Sequence, residues 1–282
     1  MEGCRGSELG RMSCCIRPAL ANSRSSRSRQ YLERELKSSR ERLDRELANA
    51  GRMQQLILPS SLPLHPSIHF SAYYRTSRHA GGDYYDVLPI GPHRFAVVVA
   101  DVSGHGAPAA IVMAMIRAVL HSYPGTPDDP PTVLNHINRH FRYLWETAMF
   151  ATAVFAVFDA ETHTVRLSTA GHPLPLLIRA MQAEPMVVEN SPALLFGEFG
   201  DVPCAERTVR PGDRVVFYTD GITDRRAPDD SMYDEERLSA ALARFGAQPS
   251  EAVVEELIAQ VDSFASGVEP DDDQTLLVVG IE

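Results

Sequence analysis

Four stretches of this chain set an aspartate at the end of an apolar, strand-like run, and that pattern restricts the fold more than any other feature. They are Gly81-Gly82-Asp83-Tyr84-Tyr85-Asp86, Asp101 after Phe95–Ala100, Asp220 after Val215–Thr219, and Asp272-Asp273 ahead of Thr275–Val279. A carboxylate at the mouth of a buried strand is costly unless something pairs with it. Four such mouths, far apart in the chain, call for a common cation. Oxygen-only donors suit a hard ion, Mg²⁺ or Mn²⁺. The chain must therefore bring distant strand ends to one edge, and the chemistry this implies is metal-dependent hydrolysis.

The 282 residues suffice for one large domain with an appendage. The first fifty residues carry a net charge of +4 and the remainder −14. So acidic a body argues against nucleic acid as a partner. No apolar run approaches the ~20 residues of a membrane helix, and no apolar segment follows the early arginines as a secretory signal requires. Cys4, Cys14, Cys15 and Cys204 have neither zinc nor disulfide spacing. These features predict a cytoplasmic protein with no membrane span.

Residues 1–29, rich in Ser, Arg and Gly, read as a disordered basic tail. Residues 30–58 read as an amphipathic, coiled-coil-like linker helix. Leu32, Leu36, Leu43 and Leu47 make one stripe, and Leu36, Leu43, Ala50 and Ile57 stand seven apart. Such a helix either packs on its own domain or forms a homodimer and transmits a signal. Pro59, Pro63 and Pro66 open the domain of residues 59–282. There the texture predicts strands at 68–74, 86–90, 94–100, 150–158, 164–169, 174–179, 186–189, 204–209, 214–219 and 274–280, and helices at 107–122, 132–146, 234–244 and 250–265. This order lacks regular βαβ alternation and indicates an α+β layered fold with antiparallel sheets.

Within Ala100-Asp101-Val102-Ser103-Gly104-His105-Gly106 the aspartate ends a strand, the glycines allow close backbone approach, and a helix follows. His105 is either a general acid or a loop-forming residue. Asp83 and Asp86 are three apart, so in a strand they point to opposite faces, and Asp83 is favoured for the site. Of Asp271-Asp272-Asp273 one or two should bind. Asp224 reads as surface or supporting, and His172 reads as a turn residue before a catalyst. The chain has no Gly-x-Ser-x-Gly elbow, P-loop or dinucleotide fingerprint.

Taken in order with Ala151-Thr152-Ala153-Val154-Phe155 and Ala170-Gly171-His172-Pro173, these motifs resemble the SpoIIE/RsbU-like bacterial branch of the PPM metal-dependent serine/threonine phosphatases, over residues ~52–282. The resemblance implies a β-sandwich of two antiparallel sheets flanked by helix pairs, with two Mn²⁺ or Mg²⁺ ions at one edge. It implies Asp101 as a bridging ligand, with the Val102 carbonyl, Asp220 and Asp272 completing the shell and Asp83 binding directly or through water. Asp101, Asp220 and Asp272 would carry catalysis. Asp86, His105 and Asp273 would stand behind the ligands, and Arg75 and Arg78 are candidates for a phosphate-binding arginine. The implied substrate is a phosphoserine or phosphothreonine on an anti-sigma-factor antagonist of the STAS type, in a partner-switching pathway. A catalytically inactive phosphoprotein-binding pseudo-phosphatase is the alternative, and a nucleotide phosphodiesterase is a third.

Overall fold

The computed structural model describes the backbone of residues 19–282 except 78, 79, 145, 147, 190 and 247, with side chains from residue 31 onward. The chain divides into two units, Met1–Glu46 and Leu47–Glu282. The first is described as the leading part of helix α1 (Ala19–Gln55). Residues 1–18 of the expected tail lie outside the described residues, but residues 19–29 are helical. After Pro18 the next Gly or Pro is Gly51, so nothing in the local sequence stops the helix. Pairs such as Arg42–Glu46 (3.0 Å) line its surface, while Tyr31, Leu32, Leu36 and Leu43 are exposed.

The second unit contains two antiparallel sheets of five strands each. One has the order β1 (Ile68–Arg75), β10 (Gln274–Ile281), β9 (Arg214–Tyr218), β6 (Leu176–Arg179), β7 (Gln182–Pro185). The other runs β2 (Tyr84–Pro89), β3 (Arg94–Val102), β4 (Ala151–Asp159), β5 (Thr164–Ala170), β8 (Ala205–Thr208). Helices α2 (Ala107–His121) and α3 (Pro130–His140) pack on the β2 sheet. A single helical turn, α4 (Asp220–Thr223), leads towards α5 (Asp234–Phe245) and α6 (Ser250–Ala265), which cover the β1 sheet.

Both faces of the central strands are buried, which explains their uninterrupted apolar runs. In β10, Leu277, Val279 and Ile281 enter the core between the sheets, whereas Leu276 and Val278 pack under α5 and α6. Val215 and Phe217 of β9 face the first core, and Val216 and Tyr218 the second. Each such side chain contributes about 1.5–3 kcal/mol on burial. A one-residue slip would exchange the two sets, so the register is firmly specified. Phe158 and Phe217 meet edge to face at 6.2 Å and mark the contact between the sheets.

Within the domain of the two sheets, three differences from the sequence reading have a clear physical cause or bear on the site. Helix α3 starts at Pro130, because Asp129 caps it by accepting from Thr132 N (3.3 Å) and Oγ1 (2.6 Å), and it ends at His140. Residues 186–189 are not a strand; the ladder there is Gln182–Pro185. Its two-residue hairpin turn, Ala180-Met181, has both residues at positive φ (49° and 62°), a conformation normally signalled by Asn or Gly. Finally, β2 starts at Tyr84, directly after Asp83.

Candidate metal centre

Antiparallel pairing puts the start of β2 beside the end of β3, and the end of β9 beside the start of β10. Tyr84 pairs with Ala100, so continuing the register sets Asp83 opposite Asp101 and Gly82 opposite Val102. The bond from Val102 N to the Gly82 carbonyl (3.4 Å) extends that pairing. On the other sheet Leu276 pairs with Tyr218, which brings Thr275 to Thr219 and so Asp272 towards Asp220. The two sheet ends are joined through Asp83, whose Oδ2 accepts from Thr219 Oγ1 (2.8 Å) and Thr275 Oγ1 (2.6 Å).

The carboxylates form a gradient from the core to solvent. Asp83 is 1% exposed, Asp101 is partly buried, and Asp220 and Asp272 are open to solvent. Burial, then the charge of Asp101, raises Asp83 well above the usual carboxylate range, against the two threonine hydroxyls. Burial and the charges of Asp220, Asp272 and Asp273 push Asp101 up to about 7, opposed by a hydrogen bond to Asp83. Burial and Asp272 raise Asp220, and burial and Asp273 raise Asp272, with nearby His105 lowering the latter. Four carboxylates that each resist ionisation because of partial or full burial and a neighbouring carboxylate are poised for a cation.

Asp273 faces inward and makes a different set of contacts. Its Oδ2 accepts from Gly82 N (2.7 Å) and its Oδ1 from Ser77 N (2.8 Å) and Ser77 Oγ (3.3 Å), so it holds the loop before Asp83. A Cβ on Gly82 would lie 2.4 Å from the Val102 carbonyl oxygen, so only glycine lets that backbone approach. Gln54, at the end of α1, grips the same loop: its amide donates to the Gly81 carbonyl (2.6 Å) and accepts from Gly81 N (2.9 Å).

Asp86 is placed elsewhere. It shares a face with Tyr84, as the period of two requires, and accepts from Tyr84 Oη (2.8 Å) and Val87 N (2.8 Å). His121 Nε2 of α2 lies 2.7 Å from its Oδ2. It therefore ties β2 to α2 on the face away from Asp83, and the expectation that it stands behind the ligands is corrected. His105 is exposed in the turn formed by Gly104 (φ 88°) and Gly106 (φ 77°). His172 is buried, its Nδ1 is 2.8 Å from Thr152 Oγ1, and burial lowers its pKa to about 3, so it is neutral. Thr152 is the cross-strand partner of Asp101. Arg75 pairs with Glu269 (3.4 Å) and Asp262 (3.7 Å), and Arg78 lies outside the described residues.

Gln54, Thr219 and Thr275 escaped the sequence reading, since nothing marks an inward-facing polar residue until its partner is known. A cavity of about 200 Å³ beside the cluster is lined by Gly221, Asp224, Arg225, Arg226, Asp271 and Asp272. Larger cavities, of about 410 and 550 Å³, are lined by none of the cluster's aspartates. Among the described residues no group of three or more His, Cys, Asp or Glu side chains is already placed to hold a metal ion. The fit to a metal thus rests on donor chemistry: an all-oxygen set, repulsion for a cation to relieve, and a backbone carbonyl at Val102 directly after Asp101.

The model of the family Stage II sporulation protein E (SpoIIE) matches residues 91–282. The phosphoserine phosphatase RsbU of Bacillus subtilis is 26% identical over 193 residues, 68% of this chain and 57% of that protein. Protein IcfG of Synechocystis is 26% identical over 247 residues, 77% of this chain and 39% of that protein. The chain thus spans about 40–60% of the length of these relatives. The SiaA PP2C domain of Pseudomonas aeruginosa superposes with a TM-score of 0.76 at 19% identity, covering 87% of this chain and 98% of that one. The RsbU and RsbW domains of Rv1364c from Mycobacterium tuberculosis give 0.68 at 26% identity, covering 80% of this chain and 63% of that one. A two-sheet sandwich of the PP2C type, with aspartates gathered where its sheets end, accords with the family match, and the chain belongs to the SpoIIE family of PPM-type phosphatases.

Proposed function

We propose that this chain is a metal-dependent protein phosphatase that hydrolyses phosphoserine or phosphothreonine. The observation that carries the reading is the gathering of Asp83, Asp101, Asp220 and Asp272 from both sheets, each raised by burial and by at least one neighbouring carboxylate. These residues and the Val102 carbonyl would hold two Mn²⁺ or Mg²⁺ ions. Such ions supply an acidified water and offset charge on the phosphoryl oxygens. Asp101, on which Asp83 of one sheet and Asp220 and Asp272 of the other act, would be shared between the ions. Asp83 is fixed by its threonines, so it presents its other oxygen in one orientation. His105, exposed and acting on the charge of Asp272, would hand a proton to the leaving serine oxygen. Hydrolysis of para-nitrophenyl phosphate with Mn²⁺, with Mg²⁺ and with chelator tests the reading: turnover in chelator equal to that with metal overturns it.

The substrate we infer is a phosphorylated STAS-type anti-sigma-factor antagonist in the cytoplasm. Supporting a phosphoprotein substrate, the relatives RsbU and RsbP of Bacillus subtilis are phosphoserine phosphatases. Among the described residues no helix is long and apolar enough to cross a membrane. We further propose that helix α1 joins two copies through Leu32, Leu36 and Leu43, which are exposed at helical spacing. Removing residues 1–50 is then expected to halve the mass in solution and change turnover. An unchanged mass and rate would exclude this role.

A pH dependence follows. Asp101, at about 7 when folded, lies above its unfolded value of ~3.9. The metal-free fold keeps a proton there that the unfolded chain has lost, so this group makes stability fall as pH rises from about 4 to about 7. His172, at about 3 when folded, acts with the opposite sign, between about 3 and 6.5. A divalent ion relieves the carboxylates only where they are ionised. The rise in Tm on adding Mn²⁺ should therefore be larger at pH 8 than at pH 5.5, and equal rises would count against this site.

A further inference from the structure

We propose that Thr219 and Thr275 are positioning residues that set the aspartates of one sheet against those of the other, an inference that rests on the metal-centre reading above. Both threonines are completely buried. The β9–β10 ladder continues past Tyr218 with a bond from Thr219 N to the Thr275 carbonyl (3.1 Å). Its return bond is altered: Thr275 N donates to Thr219 Oγ1 (3.0 Å) in place of the Thr219 carbonyl. That carbonyl is thereby left to accept from Ile222 N (3.1 Å), the bond that turns the chain into α4. The Thr219 hydroxyl thus ends the strand and lets Asp220 leave it at the site.

The same hydroxyl then has one proton left to give. Its lone pair is engaged by Thr275 N, so its O–H is directed at Asp83 Oδ2, where the Thr275 hydroxyl also donates. Two donors from the β1 sheet therefore saturate one oxygen of a buried carboxylate on the β2 sheet. The other oxygen is left free of the threonines, on a residue whose side chain also bonds to Asp101. Thr219 precedes Asp220 directly, and Thr275 follows Asp272 by three residues. One hydrogen-bonded knot consequently fixes the neighbours of Asp220 and Asp272 and the carboxylate of Asp83 itself. Valine has the shape of threonine but can make none of these bonds, whereas serine can make all of them.

The test uses the full chain with Thr219→Val, Thr275→Val, Thr219→Ser and Thr275→Ser, reading Mn²⁺ binding by calorimetry, the Mn²⁺ concentration for half-maximal turnover, and KM and kcat for para-nitrophenyl phosphate. Outer-shell partners of metal ligands typically contribute about 10–100-fold in affinity. The valine variants should lose about that much Mn²⁺ affinity, with KM little changed and kcat largely recovered at saturating Mn²⁺. The serine variants should stay within about threefold of the parent. Valine variants that fold and bind Mn²⁺ like the parent overturn the inference, as do serine variants no better than valine. If a valine variant does not fold, Thr275→Ala takes its place with the same expectation, and unaltered Mn²⁺ affinity there overturns it equally. A parent protein that binds neither Mn²⁺ nor Mg²⁺ overturns the metal-centre reading itself, a result distinct from intact binding that ignores the threonines.

Discussion

Asp101→Asn should abolish turnover, with kcat/KM for para-nitrophenyl phosphate falling by at least about 10³-fold, since metal-ion charge stabilisation is worth several kcal/mol. Asp101 is the residue on which the other charges converge, since Asp220, Asp272 and Asp273 all raise it and Asp83 bonds to it. Asparagine keeps its size and one carbonyl oxygen but removes the negative charge. It also relieves repulsion in the metal-free protein, because Asp83 loses its largest charged neighbour. The variant should therefore be as stable as the parent in chelator, or more stable, while gaining less Tm from Mn²⁺. This combination separates loss of a ligand from misfolding. Retained turnover, or a Tm that falls in chelator, would contradict the assignment. Asp86→Asn serves as a contrast: it weakens the tie to Tyr84 and His121, and any loss of rate should follow a loss of stability.

Gly221→Ala should be nearly as severe for a different reason. A Cβ there would lie 1.8 Å from the Asp273 carbonyl oxygen and 2.8 Å from its carbon, both backbone atoms. The segment cannot yield freely, because Gln274 Nε2 donates to the Gly221 carbonyl (3.1 Å) and Asp273 holds Gly82. Overpacking of this kind costs about 3 kcal/mol. For a domain of this size each kcal/mol moves Tm by roughly 2–4 °C, so a fall of about 6–12 °C is expected in differential scanning fluorimetry. Mn²⁺ binding should weaken as well, since Asp272 and Asp220 flank the contact. Gly197, where a Cβ meets nothing within 4 Å and φ is ordinary, is the control and should accept alanine without change. A Gly221→Ala protein that melts like the control would show that the segment is more pliant than its bonds suggest.

Much of this arrangement was legible in the chain because it depends on local rules. Apolar runs ending in aspartate, as at Phe95–Asp101, announce buried strands with a polar mouth, and the three-residue spacing of Asp83 and Asp86 does put them on opposite faces. What stayed hidden depends on partners distant in sequence. Asp86 looked like part of the site until α2 supplied His121. Gln54 and Thr275 are ordinary polar residues until Gly81 and Asp83 are set beside them. The Ala180-Met181 turn was invisible because tertiary structure imposes its conformation against propensity, and the strand after it was displaced as a result. The helical segment 19–29 was misjudged because a Ser/Arg composition signals disorder only where other chain does not carry a helix through it.

The placement of β10 also bears on synthesis. It lies between β1 and β9, yet it follows β1 by about two hundred residues and comes last in the described order. A chain emerging from the ribosome can pair β2 through β5 early, but β1 must wait without its strand partner until residues 274–281 appear. Asp272 and Thr275 emerge at the same late moment. Completion of the sheet and assembly of the carboxylate cluster are thus a single event, and a nascent chain stalled before β10 would hold β1 as an open edge prone to wrong partners.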